Sequence, residues 1–183
     1  MQSLQGSLLV AAPALGDVNF FRSVVLMLRH DEDGALGLVL NRPTNDTVAT
    51  VWQAVGLPPV DGSRHIYLGG PVSGPLMAVH TSKFLAQGEV FPGLFFTSAK
   101  EALTKLASAA VKRYRIFSGY SGWGAGQLEE ELAAGGWLLT PATIDDVFHD
   151  GDDLWHKVVR RIGREILGAE VAKRPAPEDP MLN

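Results

Sequence analysis

The chain has no cysteine among its 183 residues. That absence removes disulfides, thiolate nucleophiles, cysteine-held zinc and cysteine-bound iron–sulfur clusters at once. It also fits a reducing compartment, and a cytoplasmic location is expected. Long apolar runs are missing too. The first apolar stretch, residues 8–15, is interrupted by Pro13, and no Lys or Arg precedes Arg22, so the basic start of a secretory signal is absent. No run approaches the roughly 20 apolar residues of a membrane-spanning helix. Excess basic charge is lacking as well: the formal net charge is -4, which does not favour nucleic acid or an anionic membrane unless the basic residues gather in one patch.

What the chain does have is an ordinary globular composition, 46% hydrophobic and 20% charged, enough to build one core. Residues 6–12 (GSLLVAA) predict a short strand ended by Pro13. Residues 23–29 and 35–41 flank Asp31-Glu32-Asp33-Gly34 and predict a β-hairpin closed by Pro43. Val48, Val51, Trp52 and Val55 then follow helical spacing up to Gly56. Strands are expected at 65–68, 76–80 and 94–97. The turn Gly69-Gly70-Pro71-Val72-Ser73-Gly74 separates the first two. A helix from Ser98 through about Ala110 would bury Ala102, Leu103, Leu106 and Ala109 or Ala110.

Residues 114–120 read as a strand entering a glycine-rich loop at Gly122-Trp123-Gly124-Ala125-Gly126. A helix at 127–134, a strand at 137–140, and helices at 143–148 and 152–167 follow. The tail 173–183 carries three prolines and is expected to be extended. Strands and helices mix without βαβ alternation, so the expected class is α+β, a single domain over 1–172 with a Pro-rich tail at 173–183.

Several segments, taken in order, carry a resemblance. They are Gly6-Ser7-Leu8-Leu9-Val10-Ala11, then Asp17 with Phe20 and Phe21, then Ser23-Val24-Val25 and His30. Gly34-Ala35-Leu36-Gly37-Leu38-Val39-Leu40-Asn41-Arg42-Pro43 comes next, then Leu68-Gly69-Gly70-Pro71-Val72 and Val79-His80. Gly119-Tyr120-Ser121-Gly122-Trp123-Gly124-Ala125-Gly126-Gln127-Leu128-Glu129 and Trp137 complete the set. Across residues 6–165 the chain resembles the AlgH/YqgE family, a bacterial group of mostly uncharacterised proteins. The resemblance implies a mixed or antiparallel split β-sheet, part of it curled into a small barrel, flanked by helices. It also implies the family's usual label of transcriptional regulator, which carries no mechanism. Where the family pattern often has Ala, this chain has Ser121.

The candidate chemistry is sparse. Gly119-Tyr120-Ser121-Gly122-Trp123 misses the Gly-x-Ser-x-Gly order of a nucleophile elbow, and Ser121 reads as a small turn residue. Gly122-x-Gly124-x-Gly126 precedes a helix as a phosphate cradle would, but Glu129, Glu130 and Glu131 already complement that helix end and repel phosphate. Gly69 and Gly70 fit an anion nest or, more plainly, a tight strand connection. The five histidines, His30, His65, His80, His149 and His156, form no His-x-His or His-Glu-x-x-His pattern, and the acidic stretch 145–153 lacks the order of a calcium loop. Neither a cofactor, a metal site nor a catalytic set is expected.

Three functional readings follow. The preferred one is a non-catalytic binding or regulatory domain that meets a small molecule or a protein. Its surface would combine His30, Asn41, Arg42, Gly69, Gly70, Pro71 and His80 with the loop 120–127, including Tyr120, Trp123 and Gln127. The plain alternative is that Asn41 ties a turn and His80 is a satisfied strand-end residue. The second reading is a small-molecule enzyme using His30 or His80 as acid–base, with Arg42 holding an anion in a shared pocket. The third is weak DNA binding through Lys157, Arg160, Arg161 and Arg164, with Lys112, Arg113 and Arg115 extending the patch. It is disfavoured because Asp152 and Asp153 open the helix that would meet bases.

Overall fold

A computed structural model describes residues 2–13, 15–57, 59–60, 63–108 and 113–172, with no side chains given for 170–172. The tail 173–183, the helix end at Ala109 and Ala110, and Lys112 lie outside the described residues. The fold is a mixed α+β domain built on two sheets.

The first sheet begins with β1 (Ser7–Ala11) and the hairpin β2 (Val24–Asp31) and β3 (Gly34–Val39). It is completed by β10 (Ser121–Gly124) and β11 (Trp137–Pro141). The order is β10-β3-β2-β1-β11, antiparallel throughout. The central β2 is apolar on both faces because both are covered.

The second sheet contains β4 (Pro43–Thr47), β5 (His65–Leu68), β6 (Met77–His80), β7 (Gly88–Phe91), β8 (Leu94–Thr97) and β9 (Tyr114–Ser118). Its order is β4-β5-β9-β6-β8-β7, with β5 and β9 parallel and the other pairs antiparallel. The split sheet is therefore present, and neither half closes into a barrel among the described residues.

Leu8, Val10, Val24, Leu26 and Leu38 of the first sheet face Met77, Val79, Leu94 and Phe117 of the second, forming the main core. Helix α5 (Leu154–Ala172) adds Leu154, Trp155, Val158 and Ile162 to it, and the Trp155 indole donates to the Ala11 carbonyl at 2.9 Å. Helices α1 (Val48–Ala54) and α2 (Lys100–Ser108) cover the far face of the second sheet. Helix α3 (Gln127–Ala133) covers the far face of the first. The short α4 (Ile144–Val147) precedes α5. No helix among the described residues is long and apolar enough to cross a membrane.

One local expectation is corrected. The glycine-rich segment expected as a loop is the edge strand β10, with Trp123 opposite Ala35 and Gly124 opposite Gly34. Its Ser-Gly-Trp-Gly run alternates buried and exposed residues, a two-residue period in which glycine supplies the outward positions. Gly34 makes the pairing close: a Cβ there would lie 2.2 Å from the Trp123 carbonyl oxygen.

Candidate functional site

Two motif segments distant in sequence lie against each other. The Val72 and Tyr120 amides each donate to the other's carbonyl at 3.0 Å, and the Gly69 amide donates to Ser118 at 2.9 Å. The buried Ser121 hydroxyl donates to the Gly69 carbonyl at 3.1 Å. That bond makes Ser121 a strand tie, and its hydroxyl has no hydrogen bond to a titratable side chain among the described residues. Because the Gly69 and Val72 amides are engaged, the turn 69–74 is a tight connection between chain segments.

This junction sets one wall of a cleft of about 600 Å³. Pro71 comes from the turn, Gly122 and Trp123 from β10, Gln127 and Glu131 from α3, Trp137 from β11, and Asp17 and Phe20 from the turn before β2. Phe20 stacks on Trp123 with centroids 6.1 Å apart, and Trp137 meets both rings edge-on at 5.3 and 6.1 Å. Gln127 and Glu131 are one helical turn apart and share a face. One Glu131 oxygen accepts both indole N–H groups, at 2.9 Å from Trp123 and 2.8 Å from Trp137. The other accepts the Gln127 amide at 3.0 Å, while the Gln127 carbonyl accepts the Gly124 amide at 3.0 Å. The carboxylate therefore fixes both tryptophan rings.

The remaining sequence candidates divide. Asn41 accepts from the Val24 amide at 3.0 Å and donates to the Arg22 carbonyl at 2.8 Å. Arg42 donates to the Phe21 carbonyl at 3.2 Å. Both brace the turn that carries Phe20 into the cleft without lining it. Gly69 and Gly70 form the junction, and the Tyr120 ring lies over Gly122 and Gly74.

His30 is buried in β2, below α3. Its Nδ1 accepts from the Leu4 amide at 3.1 Å, which assigns the proton to Nε2, and Nε2 donates to Glu129 at 2.8 Å. With both ring nitrogens engaged, His30 has no lone pair for general-base work.

His80 is fully buried in the other sheet, against Phe95, and its Nε2 has no partner among the described residues. Among the described residues, none of His30, His80 or Arg42 lines the cleft or either of two further cavities, so the enzyme reading finds no shared pocket in these three. Burial holds His80 below the ordinary imidazole range, and its Nδ1 accepts from the Ser82 amide at 3.3 Å. The unfolded ring takes a proton near about pH 6.5. His80 therefore contributes its full stability above that pH, and loses it as pH falls toward its folded value. The melting temperature of His80→Leu is expected to change less than that of the wild type between about pH 7.5 and pH 5. Parallel profiles in differential scanning fluorimetry would refute this.

A second cavity, of about 670 Å³, contains three arginines, Arg64, Arg113 and Arg115, beside His65, Tyr67 and Tyr114. In the sequence, Arg113 and Arg115 stand out only as extensions of a DNA patch. The available signal was a charge inside the apolar strand at Tyr114-Arg115-Ile116-Phe117. Arg115 is 4% exposed. It donates to the Leu40 carbonyl, the His149 carbonyl and Asp150 at 3.1, 3.0 and 2.9 Å, and lies 4.1 Å over the Tyr67 ring. Burial pulls its pKa down, and Tyr67 and Asp150 oppose that shift. Arg113 pairs with Asp145 at 3.0 Å, and Arg64 lies 4.7 Å over Tyr114. Arg113 and Arg115 tie α4 and the α4–α5 connection to the second sheet.

The basic stripe of α5 also has structural work. Arg161 donates to Asp146 at 2.7 Å and Lys157 lies 3.7 Å from the same carboxylate, which is 1% exposed. Arg160 donates to the His156 carbonyl of its own helix at 3.3 Å, and Arg164 is exposed. Burial pushes the Asp146 pKa up, but the hydrogen bonds from Arg161 and Thr143 outweigh it and hold the group below the ordinary carboxylate range. Among the described residues, no group of three or more His, Asp or Glu is placed to hold a metal ion.

Comparison with known proteins agrees with this architecture. The profile of the family described as AlgH-like matches residues 8–167. A UPF0301 protein of Myxococcus xanthus is 42% identical over 169 residues, covering 89% of this chain and 93% of that protein. One of Streptomyces coelicolor is 41% identical over 196 residues, covering 100% and 97%. The solution structure of AlgH from Pseudomonas aeruginosa superposes with a TM-score of 0.76 at 29% identity, over 97% of each chain. A crystal structure from Corynebacterium diphtheriae does so with a TM-score of 0.72 at 26% identity, over 97% of this chain and 90% of that one. With the matched profile spanning nearly the whole two-sheet fold, the chain belongs to the AlgH-like family.

Proposed function

We propose that this chain is a non-catalytic, cytoplasmic binding domain that holds a small molecule in the tryptophan cleft, and that any regulatory role acts through that occupant. One observation carries the reading. The glycine–tryptophan motif, the Gly69-Gly70-Pro71 turn and the turn before β2 are remote in sequence, yet all three line a single cavity with Glu131 and Trp137. Its volume of about 600 Å³ is in the range of small-ligand sites, and its wall combines aromatic rings with a few placed polar groups. Acid–base catalysis has little support, since His30 has both ring nitrogens engaged. DNA contact through α5 is opposed by the attachment of Arg161 and Lys157 to Asp146.

A thermal-shift screen over small metabolites tests this. A ligand at about 100 times its dissociation constant adds about 2.7 kcal/mol, roughly 5–10 °C in a domain of this size. The shift is expected to vanish in Ala134→Trp, which fills the cleft from an exposed helix end. Hits that stabilise this variant as strongly as the wild type would place the site elsewhere.

A further inference from the structure

The wall of the tryptophan cleft has an uneven chemistry. It presents three aromatic rings, Phe20, Trp123 and Trp137, and two carboxylates, Asp17 and Glu131, with no Lys, Arg or His. Glu131 accepts three hydrogen bonds, all from neutral donors, and it forms no ion pair among the described residues. A carboxylate has about four acceptor sites, so its charge is held in place while capacity to accept remains. Both indoles donate their N–H to that carboxylate, which increases the electron density of the rings. Tryptophan faces are the strongest aromatic partners for a cation.

We infer that the occupant of this cleft is a small organic cation bearing an ammonium or guanidinium group, which sits among Trp123, Trp137 and Phe20 with its charge toward Glu131 and Asp17. The inference rests on the cleft being the binding site, and it adds the ligand class. An anion would meet two carboxylates and no counter-charge. A neutral apolar ligand would leave Glu131 facing it without a partner for its charge, which is unfavourable in a partly dry site.

The test titrates the full chain with choline, methylguanidinium, acetate and the uncharged choline analogue in which carbon replaces nitrogen. Binding is read by tryptophan fluorescence and calorimetry at constant ionic strength. Both cations are expected to bind saturably, and the uncharged analogue about ten-fold more weakly than choline. Glu131→Gln is expected to weaken choline binding about ten-fold. Since that change also touches the indole hydrogen bonds, Asp17→Asn serves as a second variant. Asp17 is exposed, and its loss of charge is expected to weaken choline about three-fold with an unchanged melting temperature.

Equal binding of choline and its carbon analogue, or preferential binding of acetate, would overturn the cation assignment and leave the cleft as a site for another ligand. No response to any probe, together with metabolite hits insensitive to Ala134→Trp, would overturn both readings. A Gly-Lys-Gly peptide that binds ten-fold tighter than choline would place the cation on a protein and overturn the small-molecule assignment.

Discussion

Gly70→Ala is expected to destabilise the fold by about 3 kcal/mol or more and to abolish ligand binding in the tryptophan cleft. A Cβ at Gly70 would lie 2.3 Å from both the carbonyl carbon and oxygen of Tyr120 and 2.4 Å from the Ser121 nitrogen. These are backbone atoms held by the Val72–Tyr120 hydrogen bonds and the Ser121–Gly69 hydrogen bond, so no side-chain rotation relieves the clash. The backbone there has φ +155°, at the margin of the region that disfavours L side chains. To make room, the segment 69–72 must separate from 119–121. That movement carries Pro71 and β10 out of the cleft wall. Gly126→Ala is the control: it has φ +76° and open space around the added carbon, so only the conformational cost of about 1 kcal/mol is expected. Denaturant titration of the two variants separates steric collision from backbone preference. Equal losses would show that the junction is not the constraint.

Arg161→Ala is expected to lower unfolding free energy by about 3 kcal/mol at neutral pH, about 6–12 °C in melting temperature. The change leaves Asp146, only 1% exposed, with Thr143 and a Lys157 ammonium 3.7 Å away. The folded pKa of Asp146 is depressed. Its contribution is therefore complete above the unfolded carboxylate value of about 3.9 and is lost as pH falls below it. The gap between wild type and variant should narrow below about pH 4. A gap of constant size down to pH 2.5, read by chemical denaturation, would contradict the role given to this pair. This coupling also bears on DNA binding. An Arg161 variant that loses affinity for duplex has lost part of its fold, whereas the exposed Arg164 reports phosphate contact without that confusion.

The main strands and helices were legible where local pattern and tertiary burial agree. The apolar runs around Asp31-Glu32-Asp33-Gly34 became the hairpin of β2 and β3. The stripe Leu154, Trp155, Val158 and Ile162 became the buried face of α5. Strands β4 and β7 carry no legible signal because Pro-Thr-Asn-Asp-Thr and Gly-Glu-Val-Phe are short and lie at sheet edges, where little apolar alternation is required. Glycine signals a loop in the sequence of β10, whereas an edge strand under a helix tolerates glycine at its outward positions.

For the cleft, sequence supplied Pro71, Trp123 and Gln127 but omitted Phe20, Glu131 and Trp137 from the candidate set. In the sequence, Glu131 signals only a charge complementing the start of α3. Its contacts with Trp123 and Trp137 depend on strands from both edges of the first sheet meeting one helix, a relation that no local spacing encodes. The same holds for His30, whose partner Glu129 is 99 positions away.

The most direct measurement follows the side-chain N–H signals of the four tryptophans by proton–nitrogen NMR as choline is added. The account predicts that the signals of Trp123 and Trp137 move together and saturate, while those of Trp52 and Trp155, buried elsewhere, stay in place. Four unmoved signals, or movement confined to Trp52 and Trp155, would contradict it.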